Sequence, residues 1–554
     1  AVLGAGGESR SILTRCEKNI LRSGKGGAQR VPEQGPRTIP ALLVATADRY
    51  GDAIAIVDGD VALTYRQLLE KSRRFAAALV ANGIAAGDRV SIWMPNSARW
   101  IVGGFGIWQA GGVLVPVNTR FKGGEAADII GRSGARALLT ATDFLGADYL
   151  QMLRSTGVEL PALGRVVVAS GDVPEGAVSW DDFDATGTAD AAAEVARRCA
   201  ALEADDASDI LFTSGTTGRA KGVVQTHGRT LRVASDWVAM TGLTADDRYL
   251  MVNPYFHMFG LKAGILASVT AGAAMFPEPV FDVERVLSRV GSERITVLPG
   301  APTIYQSILD HPQRDDHDLS SLRVAVTGAA DIPVTLIRRI YDELPFKVVV
   351  SGYGLTEAGI ATGTGPEDGP DEVATTVGRA RPGFELRLVD PAGSDVAPGD
   401  AGEILLRGPS VMSHYLDDPA ATAAALSDDG WLRTGDIGKL EPDGLLRIVG
   451  RSKDMFIVGG FNAYPAEIEN LMLAHPAIRS VAVIGIPDER LGEVGMAFVA
   501  LEDGAVATPE EIIAWCRDHM ANYKAPRRVE VIDELPLNAT GKVMKDELRR
   551  ASGG

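Results

Sequence analysis

Residues 213–222 read Thr-Ser-Gly-Thr-Thr-Gly-Arg-Ala-Lys-Gly, and the apolar run Ile210-Leu211-Phe212 leads into them. A short buried strand that empties into a loop of glycines and hydroxyls is how an open α/β sheet meets a polyphosphate. Gly215 lets main-chain N–H groups come close to an anion; Thr213, Ser214, Thr216 and Thr217 add hydroxyls, and Lys221 adds a positive charge. A P-loop needs Gly-x-x-x-x-Gly-Lys-Ser/Thr, and counting from Gly215 or Gly218 never produces that spacing. The phosphate loop is therefore of another kind. An ordinary polar surface loop is the bland alternative.

Outward from this loop, helical patterns such as 65–82 alternate with apolar strands at 88–94, 113–117, 165–169, 249–252, 295–298, 323–327 and 347–351. Alternation of that kind predicts mostly parallel α/β layers. After Ala380 the texture turns to short β segments, 384–389 and 402–407, separated by Pro/Gly/Asp turns. The polar stretch Gly450-Arg451-Ser452-Lys453-Asp454 is the expected hinge, and about a hundred residues beyond it carry their own β/α alternation. The expected fold is α/β: a large N-terminal domain of layered α/β subdomains plus a β subdomain at 38–452, and a small mobile α+β domain at 453–554. Residues 1–37, rich in Gly, Arg and Ser, are expected to form a flexible extension without a secretory apolar core.

Composition narrows the function classes. At 554 residues the chain exceeds one ordinary core, and 55 basic against 72 acidic residues give a net charge of -17. That charge opposes nonspecific binding to nucleic acid or anionic lipid, so an anionic ligand needs a local positive site. Cys16, Cys199 and Cys516 are far apart and make no metal-binding cluster; a reducing cytoplasmic setting is expected. The long uncharged run 101–119 holds several glycines, Gln109 and Pro116, and reads as a buried helix, turn and strand rather than a membrane span.

Four further clusters carry chemistry. In Ser351-Gly352-Tyr353-Gly354-Leu355-Thr356-Glu357, Gly352 and Gly354 permit a tight turn that offers Tyr353 as a stacking face, Thr356 as a phosphate donor and Glu357 as an oxygen ligand for Mg²⁺. In Thr434-Gly435-Asp436 an acceptor-only carboxylate suits a vicinal diol. In 253–260, His257 stands among aromatics, and near the C-terminus the turn 536–543 presents Lys542. Taken singly each is as well explained by a turn, a core histidine or a solvated lysine.

In this order the motifs resemble those of the adenylate-forming superfamily of acyl-CoA synthetases, luciferases and peptide-synthetase adenylation domains, over nearly all of the chain after residue 38. The resemblance implies an acyl-CoA ligase using ATP, Mg²⁺ and coenzyme A. It places the phosphates on 213–222, the adenine on Gly352, Tyr353, Gly354 and Ala329, the ribose on Asp436 with Arg451, and the metal on Thr217 and Glu357. His257 faces the carboxylate, Lys542 and Thr356 join it as catalytic residues, Lys453 is the hinge, and Gly459 and Gly460 meet the thiol tunnel. Ile457 stands where luciferases carry a lysine of the second half-reaction.

Within the superfamily, 249–267, 297–312 and 320–333 are most similar to actinobacterial CoA ligases for propanoate side chains of steroid ring fragments. Gly260, Gly264, Gly328 and Gly359 are then expected to widen the acid chamber for a bulky alicyclic acid; packing is the alternative reason for their small size. A medium- or long-chain fatty acid is the runner-up substrate. A stand-alone enzyme loading a separate carrier protein is the alternative of another kind. The expected partner is a small-molecule carboxylic acid, with no nucleic acid and no integral membrane association; a homodimer is left open.

Overall fold

Runs such as Val297–Gly300 and Val324–Thr327 are buried on both faces, and a strand without a polar side must lie inside a sheet covered by helices on both sides. The computed structural model shows this arrangement twice; it describes residues 35–213, 220–328, 333–458, 461–488, 490–537 and 543–552, without the side chains of 461 and 462. One sheet has nine strands in the order Arg379–Ala380, Gly359–Gly363, Val348–Leu355, Val324–Thr327, Val297–Gly300, Arg248–Met251, Ala274–Pro277, Ile54–Asp58 and Val61–Thr64. Its interior pairs are parallel, and antiparallel pairs occur only towards the edges.

The second sheet has eight strands: His414–Tyr415, Lys221–Thr226, Ala207–Thr213, Val113–Pro116, Arg89–Trp93, Ala137–Ala141, Arg165–Ser170 and Val178–Ser179. Helices cover both sheets. Tyr65–Ala81 opens on a capping box between Thr64 and Gln67 and buries Leu68, Leu69, Phe75 and Leu79. Beside it lies Ala98–Gln109, where a Cβ on Gly106 would stand 2.8 Å from the Phe75 ring; the glycine is what lets the two helices approach. This helix and the strand Val113–Pro116 account for the uncharged run, and no helix among the described residues is long and apolar enough to cross a membrane.

A four-stranded antiparallel sheet, Glu385–Val389, Ala401–Arg407, Leu432–Leu440 and Leu446–Arg451, follows. Beyond it, Ile478–Asp488 and Gly492–Leu501 form a long hairpin in a five-stranded sheet with its own apolar core, including Ile468, Met472, Ile484, Phe498 and Ile512. The layering matches the sequence expectation. Most of the 1–37 extension lies outside the described residues.

Candidate active site

Strands of the two large sheets end against one cleft of about 1080 Å³. Phe212 and Thr213 reach it from one sheet, and Val326, Thr327 and Gly328 from the other, the position where open sheets place ligands. From the loop 213–222, Thr213 and Lys221 line it; Ser214, Gly215, Thr216 and Thr217 lie outside the described residues, as do Ala329, Gly459, Gly460 and Lys542. Leu537 and Met544, which flank the segment carrying Lys542, both line the cleft, and Leu537 is bridged to Val543.

The segment 351–357 departs from the expected turn. The strand Val348–Leu355 runs on through both glycines and pairs antiparallel with Gly359–Gly363, shifting register between Tyr353 and Gly354. A Cβ on Gly354 would strike the Gly359 carbonyl, so the glycine serves close strand approach rather than a turn. The reversal comes at 356–358, which brings Thr356 and Glu357 to the cleft wall.

Asp436 is raised from its own strand by Gly435, whose φ of +70° suits glycine, and by a register shift near Glu403 and Leu405 opposite it. Its carboxylate accepts the Tyr353 hydroxyl at 2.6 Å and pairs with Arg451 Nε at 3.0 Å. Arg451 is the direct cross-strand neighbour of Asp436, which explains a partner fifteen residues away. Burial, with Asp436 beside it, pushes the Tyr353 phenol well above its usual range, so it donates and stays neutral. Burial likewise raises the Glu357 carboxyl, opposed by the Tyr415 hydroxyl donating to its Oε1 at 2.9 Å.

At the other end His257 lines the cleft and caps the turn Met258–Gly260: its Nδ1 accepts the Phe259 N–H at 3.1 Å. In the neutral ring that bond places the proton on Nε2. The same cleft is also lined by Trp237, Met240, Phe256, Phe259, Ala263, Val326 and Ile360. Of the four chamber glycines only Gly328 lines the cleft, with the Gly352 carbonyl 3.6 Å from where its Cβ would be. Gly260, Gly264 and Gly359 do not line it. A Cβ at Gly260 would meet the Pro254 carbonyl; one at Gly359, whose φ is +74°, would meet Val233; and Gly264 sits against Met251. At Gly260 and Gly359 the small size is a packing requirement, and at Gly264 a Cβ would make only ordinary contacts; none of the three widens the cleft, which corrects the expectation.

Two features escaped sequence reading. Lys262 and Asp209 form a fully buried ion pair, 2.9 Å apart. Asp209 also accepts the Ser208 and Thr230 hydroxyls, each at 2.7 Å, and Lys262 lies on the π-helix Leu261–Leu266. The only sequence signals were a charge in each of two apolar runs. The other feature is Tyr415, whose partner Glu357 is remote in sequence.

Comparison with known proteins agrees with this geometry. The AMP-binding enzyme family matches residues 43–416, and the AMP-binding enzyme C-terminal domain matches 467–542. The chain belongs to the AMP-binding enzyme family and is an AMP-forming acid–thiol ligase, of the class that uses ATP and CoA. A 7a-methyl-1,5-dioxo-octahydro-1H-inden-4-yl propanoyl:CoA ligase of Rhodococcus jostii is 48% identical, covering 93% of this chain and 98% of that protein. Its namesake from Mycobacterium tuberculosis is 49% identical over the same shares. The crystal structure of the anthranilate CoA ligase AuaEII with anthranoyl-AMP superposes with a TM-score of 0.85 at 29% identity, covering 95% of this chain and 99% of that one.

Proposed function

We propose that this ligase activates a bulky alicyclic propanoic acid with Mg²⁺ and ATP, and then passes the acyl group to coenzyme A. The observation that carries the reading is one cleft with a polar nucleotide end at Tyr353, Asp436 and Arg451 and an apolar end around a single imidazole. The two relatives named for a dioxo-octahydroindenyl propanoate supply the acid class.

A carboxylate is a poor electrophile, so its oxygen first attacks the α-phosphate of ATP and pyrophosphate leaves. Asp436 accepts the ribose hydroxyls, the Tyr353 ring bears the adenine, and Lys221 with Thr356 faces the phosphates. His257 donates Nε2–H to the acid's carboxylate and aims it. Among the described residues no group of three His, Cys, Asp or Glu could hold a metal unaided. Glu357, a hard oxygen donor on the cleft wall, is the residue that would hold Mg²⁺ beside the nucleotide. When bound, the ion screens the repulsion between the two anions.

Lys542 is assigned to the charge that develops at the α-phosphate, in keeping with the place of Leu537 and Met544 on the cleft wall. For the thiol to reach the adenylate that lysine must withdraw. We assign this to rotation of 453–554 against 38–452 about Lys453, itself on the cleft, which would bring Gly459 and Gly460 to the thiol. The test is a mass-spectrometric panel with ATP, Mg²⁺, CoA and bicyclic propanoic, aromatic and straight-chain acids. The bicyclic propanoate should give pyrophosphate, AMP and its CoA thioester with the highest kcat/KM. A higher kcat/KM for octanoate overturns the acid class, and no pyrophosphate with any acid overturns the reaction.

A further inference from the structure

The carboxylate facing the polyphosphate is held by a residue outside the motifs. Tyr415 belongs to the two-residue strand His414–Tyr415, antiparallel to Lys221–Thr226, with Tyr415 opposite Val223. The segment grips Glu357 at both ends: the Met412 N–H donates to the Glu357 carbonyl at 2.6 Å, and the Tyr415 hydroxyl donates to its Oε1 at 2.9 Å. The face of the same ring carries the Lys221 ammonium, 4.9 Å from the ring centre. All three side chains line the cleft.

We propose that Tyr415 is a positioning residue for nucleotide activation: its hydroxyl fixes the Glu357 carboxylate for a divalent cation, and its ring fixes Lys221 for the phosphates. The inference rests on the Mg²⁺–ATP reading above. A hydrogen bond to a charged acceptor restricts a carboxylate that would otherwise sample several rotamers, so cation affinity falls when the bond is lost. A lysine over an aromatic face is similarly confined. A tyrosine kept only for packing would need the ring and not the hydroxyl.

The test uses the full chain and a non-hydrolysable ATP analogue, with binding measured by calorimetry across a Mg²⁺ titration and in EDTA. Tyr415→Phe keeps the ring, so its affinity in EDTA should stay within about twofold of wild type, while the Mg²⁺ concentration for half-maximal enhancement rises about tenfold. In a Glu357→Gln background Tyr415→Phe should have no further effect on the Mg²⁺ dependence. Tyr415→Leu, which also removes the ring beneath Lys221, should weaken binding in EDTA as well. Equal Mg²⁺ dependence of Tyr415→Phe and wild type overturns the proposal, as does an equal loss with and without Mg²⁺. A wild type whose affinity ignores Mg²⁺ overturns the metal reading and this role with it.

Discussion

At the Asp436 end of the cleft the polar side chains already hold one another: Tyr353 and Arg451 both engage Asp436, and Tyr415 engages Glu357. At the end we assign to the acid the walls are Trp237, Met240, Phe259, Val326 and Ile360, and the His257 Nδ1 accepts a backbone N–H. The first end, which we assign to the nucleotide, has its polar groups fixed by one another. The second is a shape, set by side-chain volume, and shapes can change without disturbing the chemistry.

The two ends are tied by the Lys262–Asp209 pair, since Asp209 lies on the strand Ala207–Thr213 that leads to the loop 213–222 and Lys262 on the π-helix that follows His257. Breaking that tie has the largest expected effect. Lys262→Met strands a buried carboxylate and should cost about 3–5 kcal/mol in urea unfolding, whereas Asp209→Asn with Lys262→Met should recover a large part of the loss. A double variant no more stable than the single one would mean that the charge pair is not what joins the ends.

Next in size is Lys542→Ala, expected to slow adenylation by about a hundredfold or more, the scale for removing a group that meets developing charge. Conversion of a supplied acyl-adenylate to the thioester should survive. Equal losses in both half-reactions would make Lys542 a structural residue, and the division of labour within the cleft would lose its main support.

The same contrast governs what could be read in advance. Thr213, Lys221, Thr356, Glu357, Asp436 and Arg451 stood out because the polyphosphate and diol chemistry we propose for them calls for particular polar types at short spacings, and the structure sets each of them on one cleft. The apolar chamber did not. Its lining comes from elements as distant as Trp237 and Ile360, and a side chain facing a cavity has the same composition as one facing the core. Three of the four glycines assigned to it lie off the cleft, and two of those, Gly260 and Gly359, are packing glycines. Tyr415 and Lys262 were hidden because each is defined by a partner remote in sequence.

A crossed pair of variants measures how separate the ends are. Asp436→Ala should raise the KM for ATP about tenfold or more and leave the KM for the acid unchanged, because a charge-assisted acceptor is lost only at the nucleotide end. Gly328→Leu should abolish activity on ring-bearing acids, spare short linear ones and leave the KM for ATP unchanged, since Gly328 lines the cleft and we assign it to the acid's share of the wall. If either variant moved both constants together, the ends would be coupled rather than independent.

The smallest effect expected falls where the two ends join in sequence. His227 follows the strand Lys221–Thr226 and begins the helix His227–Thr241, which carries Trp237 and Met240 into the chamber. The ring is buried, its Nδ1 accepts the Ile39 N–H, and its Nε2 has no partner among the described residues. Burial drives its pKa down to about 4, against the attraction of Asp209 and Asp206. The native state therefore holds this histidine neutral at a pH where the unfolded chain takes up a proton. Stability is full above the unfolded value near 6.5 and drains away as pH falls towards 4, by about 1 kcal/mol between pH 7.5 and 5.5. Urea midpoints across that range, compared between wild type and His227→Gln, should show the acid-side loss shrinking in the variant. An unchanged pH dependence would place the acid sensitivity elsewhere and leave His227 as packing alone.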